Sequence, residues 1–189
     1  MTSTSRERWL VLLERVAIVV ASLALSIGLI VALSGYFSAR DPADVSGAAK
    51  GPGRTFADLG DAQLRPGQAR PAYNSNPPTS GAHVPEPVTR DAAQLNDDQL
   101  LEALARGNVV IMYGSSLPPP GLAALARAVA GPFTPALAAA GEALILARRP
   151  GTVGMIGLAW THIVYVSAPD DPVLKQFALF WLGRGASRP

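Results

Sequence analysis

The stretch Asn96–Tyr113, NDDQLLEALARGNVVIMY, holds a helix and a buried strand in immediate succession. Asn96 is a typical N-cap residue, acidic residues follow it, Arg106 lies in the last turn, and Gly107 comes after it, a pattern typical of a short helix. Val109–Tyr113 is a continuous apolar run rich in β-branched residues, which predicts a buried strand. This stretch therefore combines both kinds of element in one domain.

The apolar runs that follow continue the alternation. They predict helices at 122–129, 135–140 and 171–182, and a strand at 143–147. Residues 155–160 and 162–166 predict either one bent strand or two short strands. Short strands interleaved with helices predict an α+β fold, in which a small mixed β-sheet is packed with helices. The pattern leaves open whether the helices cover one face of that sheet or both.

Residues 16–37 are uncharged and mostly apolar. A bilayer core is spanned by about 20 helical residues, so this segment predicts one N-terminal transmembrane helix before the domain. Arg6, Arg8 and Arg15 precede it, and the positive-inside rule then places residues 1–15 in the cytoplasm and the rest outside. The expected location is the cell membrane, with a single pass and a periplasmic C-terminal domain.

The chain after the apolar segment divides by composition. Residues 38–53 are rich in Gly, Ala, Pro and Asp and predict a flexible linker. The extracytoplasmic domain is expected at 54–184 and a tail at 185–189. The alternative is a cleaved signal peptide, because Phe37-Ser38-Ala39 offers small residues at a suitable place, although such apolar regions are usually shorter.

Composition excludes several classes of function. The formal net charge is only +2 and the arginines are scattered, so no nucleic-acid surface is predicted. Cysteine is absent, which excludes disulfides, thiolate catalysis and thiolate metal ligands. No nucleophile elbow or phosphate-binding loop is present, so the expectation is a protein that is not an enzyme.

The most distinctive segment is Tyr73–His83, YNSNPPTSGAH, here called the signature loop. Pro77 and Pro78 restrict the backbone, and the Thr-Ser-Gly sequence that follows favours a tight turn. Such a preorganised loop could hold His83 as a ligand. It could also hold His83 as a structural residue bonded to a backbone carbonyl, and the residues alone favour this second interpretation.

The signature loop resembles the Tyr-xxx-Pro-Pro-Thr-Ser-Gly-Pro-His motif of the DUF3105 family, an uncharacterised group of mostly bacterial, often membrane-anchored extracytoplasmic proteins. Leu104-Ala105-Arg106-Gly107, followed by Val109–Tyr113, resembles that family's Leu-Glu-His-Gly motif and its Val-Val-x-x-Tyr strand. Ala159-Trp160 resembles its late Ala-Trp pair. The resemblance covers about residues 55–183.

This chain departs from the family pattern at its histidines. The resemblance implies histidines at the positions of Gln63, Glu102 and Arg106, and a proline at Ala82. Only His83 remains of that set. The chain therefore resembles a divergent member that lacks most of the histidines of the family.

Two histidines are candidate metal ligands, His83 and His162. His162 lies in a strand-like apolar run, where a structural role is expected. If Glu102, Met112 or Met155 joined them, the mixture of imidazole and thioether would favour copper. One histidine alone does not make a metal site.

These observations favour a membrane-anchored, non-catalytic protein without a cofactor. Its expected partners are the lipid bilayer and subunits of a membrane complex, for example a respiratory or photosynthetic one, in which it would be an accessory or interaction subunit. The alternative is an extracytoplasmic copper-binding protein that uses His83.

Overall fold

The computed structural model of the protein describes residues 51–186. The predicted cytoplasmic segment, the transmembrane helix at 16–37 and the linker as far as residue 50 lie outside the described residues, as do the last three residues of the tail. Among residues 51–186, no helix has both the length and the apolar character to cross a membrane.

One five-stranded mixed sheet forms the centre of the domain, in the order β1-β5-β4-β2-β3. Strand β2 is parallel to β3 and antiparallel to β4, and the remaining pairs are antiparallel. The strands are β1 Arg54–Thr55, β2 Val109–Tyr113, β3 Leu144–Arg148, β4 Met155–Ala159 and β5 His162–Val166. The helices are α1 Asp97–Arg106, α2 Pro120–Ala130, α3 Pro135–Ala140 and α4 Pro172–Trp181.

Helices cover both faces of the sheet, which answers the question that the sequence left open. Side chains alternate along each strand, so β2, β3, β4 and β5 each contribute to two separate apolar clusters. On what we call the loop face, Val110 and Ile145 pack with Leu101 and Leu104 of α1. On the opposite face, here called the far face, residues such as Ile111 pack against α2 and α4. The predicted α+β class is confirmed.

Helix α1 has defined ends that explain why it forms where the sequence predicts it. Asn96 accepts a hydrogen bond from the backbone N–H of Gln99, whose side chain bonds back to the Asn96 N–H, which makes a capping box. Gly107 ends the helix in the left-handed region, with φ of 110°. The strand β2 begins two residues later, so α1 is held directly over the loop face.

The outer edge of β3 is covered by a short segment that the sequence did not predict to pair. The N–H of Ala92 donates to the carbonyl of Leu146 at 2.9 Å, and the N–H of Arg148 donates to the carbonyl of Ala93 at 2.9 Å. Asp91 accepts from the Leu146 N–H at 2.8 Å. This edge is therefore not open to another strand.

Candidate functional site

The signature loop is tightly bound to the rest of the domain. Thr79 and Ser80 are fully buried, and the Thr79 carbonyl accepts from the N–H of Thr161 in the β4–β5 turn at 3.0 Å. Gly81 has φ of 132°, and a Cβ atom there would lie 2.9 Å from the Tyr73 ring. The glycine and the tyrosine of the motif are therefore required together, because the ring packs where a side chain would otherwise be.

His83 follows this turn and is 1% exposed. Its Nδ1 lies 2.9 Å from the Gly81 carbonyl, and its Nε2 lies 3.1 Å from Oε2 of Glu102 on α1. Both ring nitrogens are therefore engaged within the protein, one with a backbone carbonyl and one with a carboxylate. The ring thus ties the end of the signature loop to α1.

Glu102 carries the connection on to Arg106. Arg106 Nε donates to Oε1 of Glu102 at 2.6 Å, and its Nη2 lies 2.5 Å from the same oxygen. Arg106 Nη1 also donates to the carbonyl of Ala139 in α3 at 3.1 Å. A buried carboxylate is stable only when it is paired and hydrogen-bonded, and here both of its oxygens have donors. The chain of contacts joins the loop, α1 and α3.

Of the three positions that the resemblance linked to histidines, two meet around His83 through their side chains. Glu102 bonds the ring, and Arg106 bonds Glu102. Gln63 lies beside His83 through the backbone, where the Leu64 N–H donates to the His83 carbonyl and the His83 N–H donates to the carbonyl of Ala62. The side chain of Gln63 is exposed.

A second acidic residue of α1 holds the next residue of the chain. Asp98 accepts from the Val84 N–H at 3.0 Å and forms an ion pair with Arg70. Burial alone would raise the pKa of Asp98, but the hydrogen bonds from Arg70 and Val84 outweigh it and the pKa is lowered. Asp98 and Glu102 are four residues apart on one side of α1, so they bind the consecutive residues Val84 and His83.

A cavity of about 270 Å³ adjoins this network. Glu102 and Arg106 form its polar wall. The remaining lining is mostly apolar and comes from the segment after the signature loop, from α1 and from α3: Pro87, Val88, Thr89, Ala103, Asn108, Pro135, Ala138 and Ala139. The volume is near the lower limit of ordinary small-molecule sites.

His162 lies elsewhere. It shares the far face with Val164 and Val166, and its ring stacks on Trp181 of α4 with centroids 3.7 Å apart. Its Nδ1 donates to the Trp160 carbonyl at 2.8 Å. Burial lowers the pKa of His162, although the bond to that carbonyl acts in the opposite direction.

The structure brings His83 and Glu102 together but leaves His162 on the opposite face of the sheet. Met112 is on the loop face and Met155 on the far face, so the two histidines and the two methionines do not all meet at one site with Glu102. Among residues 51–186, no three histidine, aspartate or glutamate side chains group closely enough to hold a metal.

The surroundings of His83 do not fit a copper or zinc ion. A metal needs the lone pair of an unprotonated ring nitrogen. Nε2 of His83, the nitrogen not used by the Gly81 carbonyl, faces Glu102, and that carboxylate is already bound by the Arg106 guanidinium. A cation would have to displace that guanidinium.

Sequence reasoning missed Asp98 and Arg70 as parts of this network. It read Asp98 only as an acidic residue at the start of a helix. A signal was present, because Asp98, Glu102 and Arg106 recur every four residues and thus line one side of a helix. Arg70 carries no comparable signal, since it lies 28 residues from its partner.

The comparisons with known proteins agree with the resemblance. The family model described as "Protein of unknown function (DUF3105)" matches residues 67–186. The chain belongs to this family. Neither the curated proteins nor the solved structures give a match.

Proposed function

We propose that this DUF3105 protein is a non-catalytic, membrane-anchored extracytoplasmic protein that acts through protein contacts, as an accessory subunit of a membrane complex. The observation that carries the proposal is the network of side-chain contacts that joins Arg106 to Glu102 and Glu102 to His83. These polar residues occupy the place of the family's histidines and are bonded to one another or to backbone carbonyls.

The network supports a structural role because three of its contacts join separate segments of the chain. His83 joins the signature loop to α1, Arg106 joins α1 to α3, and Asp98 joins α1 to the residue after the loop. A general acid or base must instead reach a substrate with the atom that exchanges the proton. Here both ring nitrogens of His83 are engaged within the protein.

The membrane-anchored part of the proposal rests on residues 16–37 and the arginines before them. A reporter enzyme that is active only outside the cytoplasm, fused after Pro189, tests it directly. We expect intact cells that carry the fusion to show reporter activity. We also expect the full chain to remain in the membrane fraction. An inactive fusion, or a chain released without its N-terminal segment, would overturn the anchoring.

Co-purification tests the role in a complex. The full tagged chain, produced from its own locus and extracted with mild detergent, should migrate as an assembly with a fixed stoichiometry of membrane subunits. A harsher detergent that separates the subunits is the control for micelle size. A strictly monomeric protein without partners would contradict the proposal.

A further inference from the structure

An open groove of about 330 Å³ lies beside the signature loop, at the end of the sheet where β4 begins. Ile156 lines it and is nearly buried, whereas Val153 and Tyr165 are 96% and 61% exposed. Pro77 of the signature loop forms part of the wall. Exposed apolar and aromatic side chains grouped around one depression are typical of interaction surfaces.

Arg149 gives this groove a fixed positive charge. Its Nη2 donates to Oδ1 of Asn76 in the signature loop at 2.7 Å, and its Nη1 lies 4.0 Å from the sulfur of Met112. Other N–H donors of the guanidinium are not used by these contacts. The groove has no acidic lining residue, and the ion pairs found among residues 51–186 are made by other cations. A carboxylate is the complementary ligand.

The edge of β5 beside the groove offers backbone hydrogen bonds. Strand β1 pairs only with His162 and Ile163. Ladder bonds alternate along an antiparallel strand, so Tyr165, two residues beyond Ile163, directs its N–H and C=O to the same side as Ile163. The next position of β1 would be Pro52, which has no N–H and whose carbonyl accepts from Trp181 instead.

We propose that this groove docks an extended, acidic segment of a partner protein. A carboxylate of that segment pairs with Arg149, an apolar side chain packs on Val153 and Ile156, and its backbone bonds to the Tyr165 groups that β1 does not pair within residues 51–186. The combination of exposed apolar and aromatic side chains, one cation and a strand edge fits a peptide better than a small anion, which would use only the cation. The inference deepens the proposed role in protein contacts and rests on it.

A peptide titration with the full chain in detergent micelles tests the docking. The probe is a fluorescein-labelled octapeptide of alternating valine and glutamate, and its counterpart has lysine in place of glutamate. We expect fluorescence anisotropy to show about tenfold tighter binding of the acidic peptide. Arg149→Gln and Val153→Asp should each weaken that binding about fivefold or more.

Matched variants away from the groove serve as controls. Arg127→Gln removes an exposed arginine of α2, and Leu117→Asp adds a carboxylate at a side chain that is 75% exposed. Both should bind the acidic peptide as the wild type does, and all four variants should unfold at the wild-type temperature. Equal binding of the two peptides, or equal losses in the control variants, would overturn the docking site.

The outcome separates this inference from the proposed function. If the chain co-purifies with membrane subunits but the acidic peptide does not bind, the groove is wrong and the accessory role stands. If the peptide binds through Arg149 but no complex is found, the groove stands and the accessory role fails.

Discussion

Replacing Glu102 by alanine removes the acceptor that His83 and Arg106 share, and it tests the central contact of the candidate site. The Glu102 side chain is 8% exposed and that of His83 is 2% exposed, whereas that of Arg106 is 36% exposed. His83 Nε2 would then be left buried without its partner. The guanidinium, by contrast, can turn towards water.

The expected cost follows from this difference in exposure. An unsatisfied buried donor costs about 1–3 kcal/mol, and hydrogen bonds to a charged group contribute about 1.5–3 kcal/mol each. The contribution of Arg106 must be discounted because solvent screens it. We therefore expect Glu102→Ala to lower the free energy of unfolding by about 2–4 kcal/mol, which overlaps the lower part of the range for breaking a fully buried pair. Glu102→Gln keeps an acceptor for His83 and should cost about 1–2 kcal/mol.

Urea unfolding of the full chain, followed by tryptophan fluorescence, measures these differences. Glu142→Ala is the matched control, because Glu142 is exposed, and it should change stability by less than about 0.5 kcal/mol. The double variant with His83→Ala should show a coupling energy of about 1 kcal/mol or more. If Glu102→Ala costs no more than the control, or if the two single changes are additive, the network does not hold the loop as we argue.

Three further outcomes are expected. The pKa of His162 is lowered in the folded protein, so below the ordinary histidine pKa of about 6.5 the unfolded chain binds more protons than the folded one. The free energy of unfolding should therefore fall as the pH drops below about 6.5. Urea midpoints at pH 7 and 5 should show a smaller fall in His162→Asn, which keeps a donor for the Trp160 carbonyl. Asn96→Ala removes the cap that Gln99 completes and should cost about 1 kcal/mol in the same unfolding assay. Copper titration should show no stoichiometric site that is present in the full chain and lost in His83→Ala. If the full chain bound one equivalent of copper and His83→Ala did not, the conclusion that the surroundings of His83 do not fit a metal would be wrong.

The order and type of the main elements could be predicted from local patterns. A run such as Val109–Tyr113 must be buried on both faces, and the cap at Asn96 with Gly107 bounds a helix whatever surrounds it. The two-residue strand Arg54–Thr55 had no such pattern, since only its partner His162–Ile163 makes it a strand. Its existence depends on pairing across more than 100 residues of sequence.

The sequence predicted which residues belong to the candidate site better than it predicted how they are arranged. The signature loop and the family pattern singled out His83 and Glu102, and the structure brings these two side chains together. It places His162 on the other face, because the strand alternation that buries Val164 also sets the side on which His162 lies.

By itself the sequence determined the helices, the main strands and the family of this protein, because apolar periodicity, caps and a short motif are local properties. Only the tertiary structure decided which residues meet. The ion pair of Arg70 with Asp98 and the groove between Asn76 and Arg149 join segments 28 and 73 residues apart. Such contacts depend on the path of the chain and on the order of strands in the sheet, which no local pattern encodes.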